Sequence, residues 1–279
     1  MDWLLDPFVE GDLQQALYAG VLAATSLAVL GTWIVIRGMT FLGDALAHTI
    51  IPGIALALLF GFNPLIGAAI AALVTVGGIN LIHRQTAFSE DVGIGLLFVG
   101  MLAIGVILAT TANADPGTLQ AILFGDVDAV SAGDVALLAF AAVLSIATTV
   151  LFYRHFLVLS FNEQKASLFG LRPHATHAVL LALLTLAIIG SFQTVGTLLV
   201  FGLLVGPPAT AALVVRQVPT MMATATGIGI VSVTAGLIIS YHAGTSGPAT
   251  MAVIPIVLFF VVLAARSVFS KTVTDTGLT

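Results

Sequence analysis

The chain of 279 residues is 59% hydrophobic and only 8% charged, and its formal net charge is −5. A soluble domain carries about a quarter charged residues, so this composition excludes a soluble globular protein and indicates a chain that lies almost entirely in or beside the bilayer. Eight basic residues against thirteen acidic ones argue against nucleic-acid binding, and the lack of cysteine excludes disulfides, thiolate metal sites and cysteine nucleophiles.

Apolar segments near the roughly 20 residues that a spanning helix needs follow one another along the chain. Their approximate ranges are 13–36, 38–60, 65–82, 92–111, 134–152, 178–215, 219–241 and 248–265. The segment 178–215 is long enough for two crossings, but its second part is short and contains Gly206-Pro207-Pro208, which predicts a re-entrant or partly unwound helix. The predicted fold class is all-α: a polytopic membrane helical bundle of eight to nine transmembrane helices with one short Pro-broken segment.

The basic residues decide how the segment 178–215 is counted. If the N-terminus is outside and this segment crosses twice, all eight basic residues fall on the cytoplasmic side, as the positive-inside rule expects. A single crossing would place Arg216, Arg266 and Lys271 outside. Nine crossings are therefore favoured, with the N-terminus outside and the C-terminus in the cytoplasm. The acidic start of the chain lacks the basic region of a cleavable signal peptide, so the first span is expected to be retained.

Ionisable side chains lie deep in the apolar region in the segment 43–48, Gly-Asp-Ala-Leu-Ala-His. In a helix that begins near Gly38, His48 lies about 15 Å along the axis, close to the bilayer midplane. Asp44 and His48 are four residues apart and share one face of the helix. Because a carboxylate at that depth is costly, the pair is a candidate functional site.

Three chemical interpretations fit this pair, and the spacing does not choose among them. In the first interpretation the pair binds a metal ion, since imidazole and carboxylate both bind Zn²⁺, Mn²⁺ and Fe²⁺; the remaining ligands must then come from another helix, a second subunit or water. In the second the two side chains form a hydrogen-bonded pair that only orients helices, and in the third they form a proton relay. His242, beside Tyr241 at the outer end of a span, is a weaker candidate for a metal ligand. The remaining histidines flank cytoplasmic ends of spans and are expected to be solvated: His83, His155, His174 and His177.

The sequence lacks the motifs of several enzyme classes. It has no G-x-x-x-x-G-K-[ST], no G-x-S-x-G and no H-E-x-x-H. The chain is therefore not expected to be an enzyme, and it cannot be its own P-loop ATPase.

The segment 43–57 resembles the second-helix motif of zinc/manganese-type ABC transporter permeases. Further resemblances follow in the same order over nearly the whole chain, at 90–95, 123–126, 161–171, 195–200, 207–211 and 246–250. Each piece alone is weak, and the ordered set carries the resemblance. One departure is that Gly206 precedes two prolines, where the family commonly has aliphatic residues and one proline.

The resemblance implies that residues 1–279 form a single permease domain of an ATP-driven metal importer in the bacterial plasma membrane. Two copies would dimerise among membrane lipids, each with a cytoplasmic ATPase subunit that uses ATP, and an extracellular or periplasmic binding protein would deliver the metal. Zn²⁺ or Mn²⁺ would be cargo rather than a permanently bound cofactor. The family's metal site falls on Asp44 and His48. The alternative function is a proton-coupled secondary metal transporter that uses the same pair as a relay.

The resemblance also places the ATPase contact on the cytoplasmic loop 157–171. This is the longest inward loop, and Asn162 is a candidate N-cap of a short helix within it. The residues expected to couple the loop to the ATPase are Asn162, Glu163, Lys165, Gly170 and Leu171.

Overall fold

The computed structural model describes residues 11–86, 90–111, 130–161 and 173–275, and the regular elements within these ranges are all α-helices. They are α1 (Gly11–Ile36), α2 (Thr40–Thr49), α3 (Ile51–Phe60), α4 (Pro64–Gln85), α5 (Glu90–Thr111), α6 (Ala132–Leu151), α7 (Tyr153–Phe161), α8 (Pro173–Val214), α9 (Val218–Ala243) and α10 (Gly247–Asp275).

Nine stretches of these described helices are long and apolar enough to cross a membrane. Helices α2 and α3 together supply one of them, Thr40–Phe60, and α8 supplies two, Pro173–Phe192 and Thr194–Val214. The predicted all-α membrane bundle is confirmed, and the double crossing of 178–215 agrees with this count.

Helices α1 and α8 form the centre of the bundle. Helix α8 packs against α1, α2, α4, α6, α7, α9 and α10. The buried face of α1 is rich in alanine, with Ala19, Ala23 and Ala24 fully buried. Small residues allow transmembrane helices to approach closely, so the sequence of α1 suits a central position.

The sequence predicts the interruption of this segment at Gly206-Pro207-Pro208, but in the structure α8 is interrupted upstream, at Gly196. Gly196 has φ 73° and ψ 162°, a combination that only glycine adopts readily. The helix continues through Pro207 and Pro208 to Val214. Prolines are tolerated inside membrane helices when neighbouring helices and hydroxyl side chains surround the freed backbone groups. Thr210, one turn beyond, donates its hydroxyl to the Gly206 carbonyl at 2.8 Å.

The carbonyl freed by Pro208 is that of Leu204, and it lies against Gly31 of α1. Pro208 has no N–H to donate to this carbonyl, which lies four residues earlier in the helix. A Cβ built on Gly31 would collide with the Leu204 carbonyl oxygen. Glycine at position 31 therefore allows α1 and α8 to touch backbone to backbone.

The second span is divided between α2 and α3 at Ile50. Pro52 lacks the N–H that the His48 carbonyl would accept in an uninterrupted helix, and the Ile50 N–H donates to that carbonyl instead. Beyond the division, α3 packs on α4 at Gly53 and Gly67, where a Cβ on either glycine would collide with the carbonyl oxygen of the other. His48 therefore lies in the last turn of α2, near the middle of the span.

Candidate metal site

Asp44 and His48 are in contact on α2, as their spacing predicts. Nδ1 of His48 lies 3.5 Å from Oδ1 of Asp44 and 3.0 Å from the Asp44 backbone carbonyl oxygen. With a proton on Nδ1 donated to this carbonyl, the lone pair of the neutral ring lies on Nε2. Histidines that bind metals are commonly oriented by such a bond at the other nitrogen. The pair therefore offers an imidazole nitrogen and a carboxylate on one helix face.

The face of α2 that carries this pair is left partly uncovered by the rest of the chain. The side chains of His48 and Asp44 are 26% and 28% exposed. The other face of α2 is buried, by Leu42, Gly43, Ala45, Leu46 and Ala47, and the helix packs on α5 and α8. The side chains of Asp44 and His48 are therefore accessible to groups outside this single chain.

Aromatic rings from two helices form one side of the site. The ring of Phe98 in α5 lies edge-on to the His48 ring, with centroids 5.7 Å apart. Phe98 also contacts Phe41 of α2, with centroids 5.5 Å apart. Phe98 could not be identified from the sequence, because a phenylalanine within a uniformly apolar span carries no signal of its role.

His242 does not complete the site within one chain. It is exposed near the end of α9, where its Nδ1 lies 2.9 Å from the Ile238 carbonyl oxygen and its ring contacts Tyr241. In the part of the chain that the structure describes, no three His, Cys, Asp or Glu side chains come close enough together to hold a metal ion. Asp44 and His48 alone would therefore supply only part of the ligand set of a metal ion.

The other histidines differ from one another in their surroundings. His174 is exposed, as expected for a solvated residue. His177 is only 7% exposed, and its Nδ1 lies 2.8 Å from Nη1 of Arg37. The ring of His155 packs beside Phe152, with centroids 5.3 Å apart. The expectation of a solvated residue is wrong for His177, because the start of α8 folds over the end of α1; the His83 side chain lies outside the described residues.

The predicted ATPase contact lies mostly outside the described residues, which do not include 162–172. All five residues named for coupling are in that gap: Asn162, Glu163, Lys165, Gly170 and Leu171. The described part, 157–161, belongs to helix α7, which packs against α1, α6 and α8. These assignments stay predictions.

The chain is similar over most of its length to known membrane proteins. The manganese transport system membrane protein MntC of Listeria innocua is 36% identical over 251 residues, which cover 90% of this chain and 89% of that protein. The chelated iron transport system membrane protein YfeD of Yersinia pestis is 31% identical over 258 residues, covering 92% of this chain and 86% of YfeD.

Two solved structures share the fold. One, PsaBC from Streptococcus pneumoniae in complex with Fab, matches with a TM-score of 0.82 and 28% identity, over 93% of this chain and 94% of that one. The other, an inward-facing conformation of a putative metal-chelate type ABC transporter, matches with a TM-score of 0.73 over 91% of this chain and 86% of that one. At 14% identity it supports the fold alone.

The model of the ABC 3 transport family matches residues 11–266. This range includes the Asp44–His48 pair, the interrupted helix α8 and all nine candidate spans apart from the last residue of the ninth. The chain therefore belongs to the ABC 3 transport family, and its resemblance to zinc/manganese-type ABC transporter permeases is confirmed.

Proposed function

We propose that the chain is the permease subunit of an ATP-driven importer of a divalent transition metal ion, with Asp44 and His48 as transient ligands. The observation that carries this proposal is the paired imidazole and carboxylate in the middle of the second span, with the His48 Nδ1 bound to a backbone carbonyl. Relatives named for manganese and chelated iron transport support a transition metal as cargo. Oxygen and imidazole ligands without cysteine suit Mn²⁺ and also accept Zn²⁺. Mn²⁺ is thus the first cargo to test, and Zn²⁺ the second.

A second copy of the chain would complete the ligand set. The exposed sides of Asp44 and His48 allow a partner's identical pair to approach the same ion, as in a two-fold symmetric dimer. The ion would also lie beside the C-terminus of α2, where the helix dipole favours positive charge. Four protein ligands of moderate strength would hold the ion and still release it, as transport requires.

The partners follow from the family and from the motifs that the chain lacks. A separate cytoplasmic subunit would bind and hydrolyse ATP, and an external binding protein would deliver the metal to the outer face. The loop 157–171 would contact the ATPase. Because α7 contains the start of this loop and packs against α8, movement of the loop would reach the central helix of the bundle.

The test is uptake of radioactive ⁵⁴Mn²⁺ and ⁶⁵Zn²⁺ by bacterial cells that lack their own importers and express the permease with its ATPase and binding protein. Asp44→Asn and His48→Gln should each lower uptake by more than about tenfold, because loss of even an outer-shell partner costs a metal site about 10–100-fold. The matched controls are Asp91→Asn and His174→Gln, which alter exposed residues outside the site. These controls should keep wild-type uptake.

Two results would contradict the proposal. Wild-type uptake in both site variants, at normal membrane levels, would remove Asp44 and His48 from the pathway. Uptake that persists with an inactive ATPase subunit but stops when the proton gradient is collapsed would instead support a proton-coupled transporter.

A further inference from the structure

A cavity of about 740 Å³ lies between α1, α6 and α9, away from the Asp44–His48 pair. Its volume is within the range of about 300–1,000 Å³ that is usual for ligand pockets. The walls are mostly apolar and include Val29 of α1, Ile146 and Val150 of α6, and Met222 of α9. A hydrocarbon chain suits walls of this kind.

The cavity lies near the membrane face at which the basic residues gather. Tyr153, just after the end of α6, and Pro219, in the first turn of α9, line it. From Pro219 the lining continues along α9 to Thr226, a distance of about 10 Å at 1.5 Å per residue. The cavity thus runs from the basic face toward the middle of the membrane.

One wall residue, Thr149 of α6, has a polar atom without a partner. Thr149 is 3% exposed, and its Oγ1 has no hydrogen-bond partner among the described residues. Helix threonines commonly donate to a carbonyl of the preceding turn; Thr25, on the α1 wall, donates to the Val21 carbonyl at 2.7 Å. The Thr149 Oγ1 is itself buried, so this hydroxyl is not offered to a molecule in the cavity and the lining there stays apolar.

Two arginines are close in sequence to the residues that line the cavity at its basic end. Arg154 follows Tyr153, and Arg216 lies three residues before Pro219; both arginines are exposed. The sequence of α9 contains no Asp or Glu, and the single acidic residue of α6 is Asp134, at its far end. The N-terminus of α9 also has no side-chain cap, so its free N–H groups add to the positive potential.

We infer that this cavity binds an anionic phospholipid from the leaflet at the basic face. An acyl chain lies along the apolar walls, and the phosphate lies between Arg154 and Arg216. A second copy of the protein is a poorer occupant, because a two-fold symmetric contact here would bring the same arginines of both copies into one interface. This inference does not depend on the proposed transport function.

The test uses the purified protein in detergent, titrated with dioleoyl phosphatidylglycerol or with dioleoyl phosphatidylcholine, and native mass spectrometry to count bound lipids. The wild type should bind one phosphatidylglycerol more tightly than phosphatidylcholine. Arg154→Gln/Arg216→Gln should weaken phosphatidylglycerol binding by roughly twenty-five-fold, since each basic residue beside an anionic headgroup contributes about fivefold. The conservative double variant Arg154→Lys/Arg216→Lys should restore most of that affinity.

Two further variants test whether the lipid occupies the cavity and whether the effect of charge is specific to Arg154 and Arg216. Ala223 lines the cavity, and Ala223→Trp should fill it and weaken binding of both lipids. The double variant Arg84→Gln/Lys271→Gln removes two positive charges that the positive-inside rule places on the same face, and it should leave lipid binding unchanged. The thermal unfolding midpoint of each variant is measured to check that the variant remains folded.

The inference is overturned if neither Arg154→Gln/Arg216→Gln nor Ala223→Trp changes lipid binding. It is also overturned if Arg84→Gln/Lys271→Gln weakens lipid binding as much as Arg154→Gln/Arg216→Gln does. It is also overturned if cysteines placed at Ile146 and Met222 crosslink two copies of the chain in membranes, because a second copy then covers the cavity.

Discussion

The guanidinium of Arg37 lies 2.8 Å from Nδ1 of His177 and joins the end of α1 to the start of α8. The guanidinium can only donate, so Nδ1 accepts and the buried imidazole is neutral. Hydrogen bonds of charged groups contribute about 1.5–3 kcal/mol, and Arg37→Met should lower the thermal unfolding midpoint by several degrees. His177→Gln, which keeps an acceptor, should lower it less. Equal midpoints for Arg37→Met and the wild type would show that the contact adds no stability.

Gly31 and Gly43 both face Leu204, but they meet different parts of it. A Cβ at position 31 would collide with the Leu204 backbone carbonyl, and one at position 43 would collide with its flexible side chain. Gly31→Ala should therefore destabilise the protein by about 1–3 kcal/mol or more, and Gly43→Ala by less. Gly77→Ala, which meets no atom within 4 Å, should be neutral or slightly stabilising. Unfolding midpoints of the three variants give the order, and a Gly31→Ala variant as stable as Gly77→Ala would contradict it.

The backbone at Gly196 sets the direction of the second half of α8. An L-residue there would adopt a conformation that costs about 1–3 kcal/mol, so Gly196→Ala should lower stability and metal uptake together. Gly190 provides the control in the same helix, because a Cβ there meets its neighbours at an ordinary 3.9 Å. Metal uptake and the thermal unfolding midpoint are measured for both alanine variants. If Gly196→Ala changes neither quantity, α8 can straighten at this position without loss of stability or uptake.

Phe98 holds the ring of His48 from the side. Phe98→Ala should raise the metal concentration needed for half-maximal uptake several-fold, because the imidazole is then free to leave its orientation. Its effect should stay smaller than that of His48→Gln, since both ligands remain. Val99→Ala, the exposed neighbour on α5, is the matched control for truncation. Identical uptake curves for the two alanine variants would limit Phe98 to ordinary packing.

The spans could be predicted from the sequence because hydropathy and turn residues mark them independently of packing. The turn 61–64 is an example: Gly61 has φ 72°, and the Asn63 side chain accepts from the Leu65 N–H at 2.8 Å. These residues end one helix and begin the next through local chemistry alone. The contact of Asp44 with His48 was predictable for the same reason, since both lie on one helix.

The contacts between helices could not be predicted. Apolar residues surround most of these helices on every side, so the sequence does not indicate which face turns inward. The approach of Leu204 to Gly31, the ring of Phe98 beside His48 and the unbonded hydroxyl of Thr149 all depend on how each helix is rotated. The predicted break at Pro207 and Pro208 was wrong for a related reason. The free-energy cost of a proline inside a membrane helix depends on the neighbouring helix, and here Gly31 leaves room for the freed carbonyl.

The bond from His48 to a backbone oxygen has a consequence for charge balance. Because Nδ1 is bonded to the Asp44 backbone carbonyl, the oxygens of the Asp44 carboxylate stay available to the ion. In the proposed two-copy site, two Asp44 carboxylates would bind one divalent cation, and the net charge of the complex would be zero. A neutral complex avoids most of the free-energy penalty of placing an ion in a medium of low dielectric constant. Monovalent cations would leave an excess negative charge, so the same arrangement would disfavour Na⁺ and K⁺.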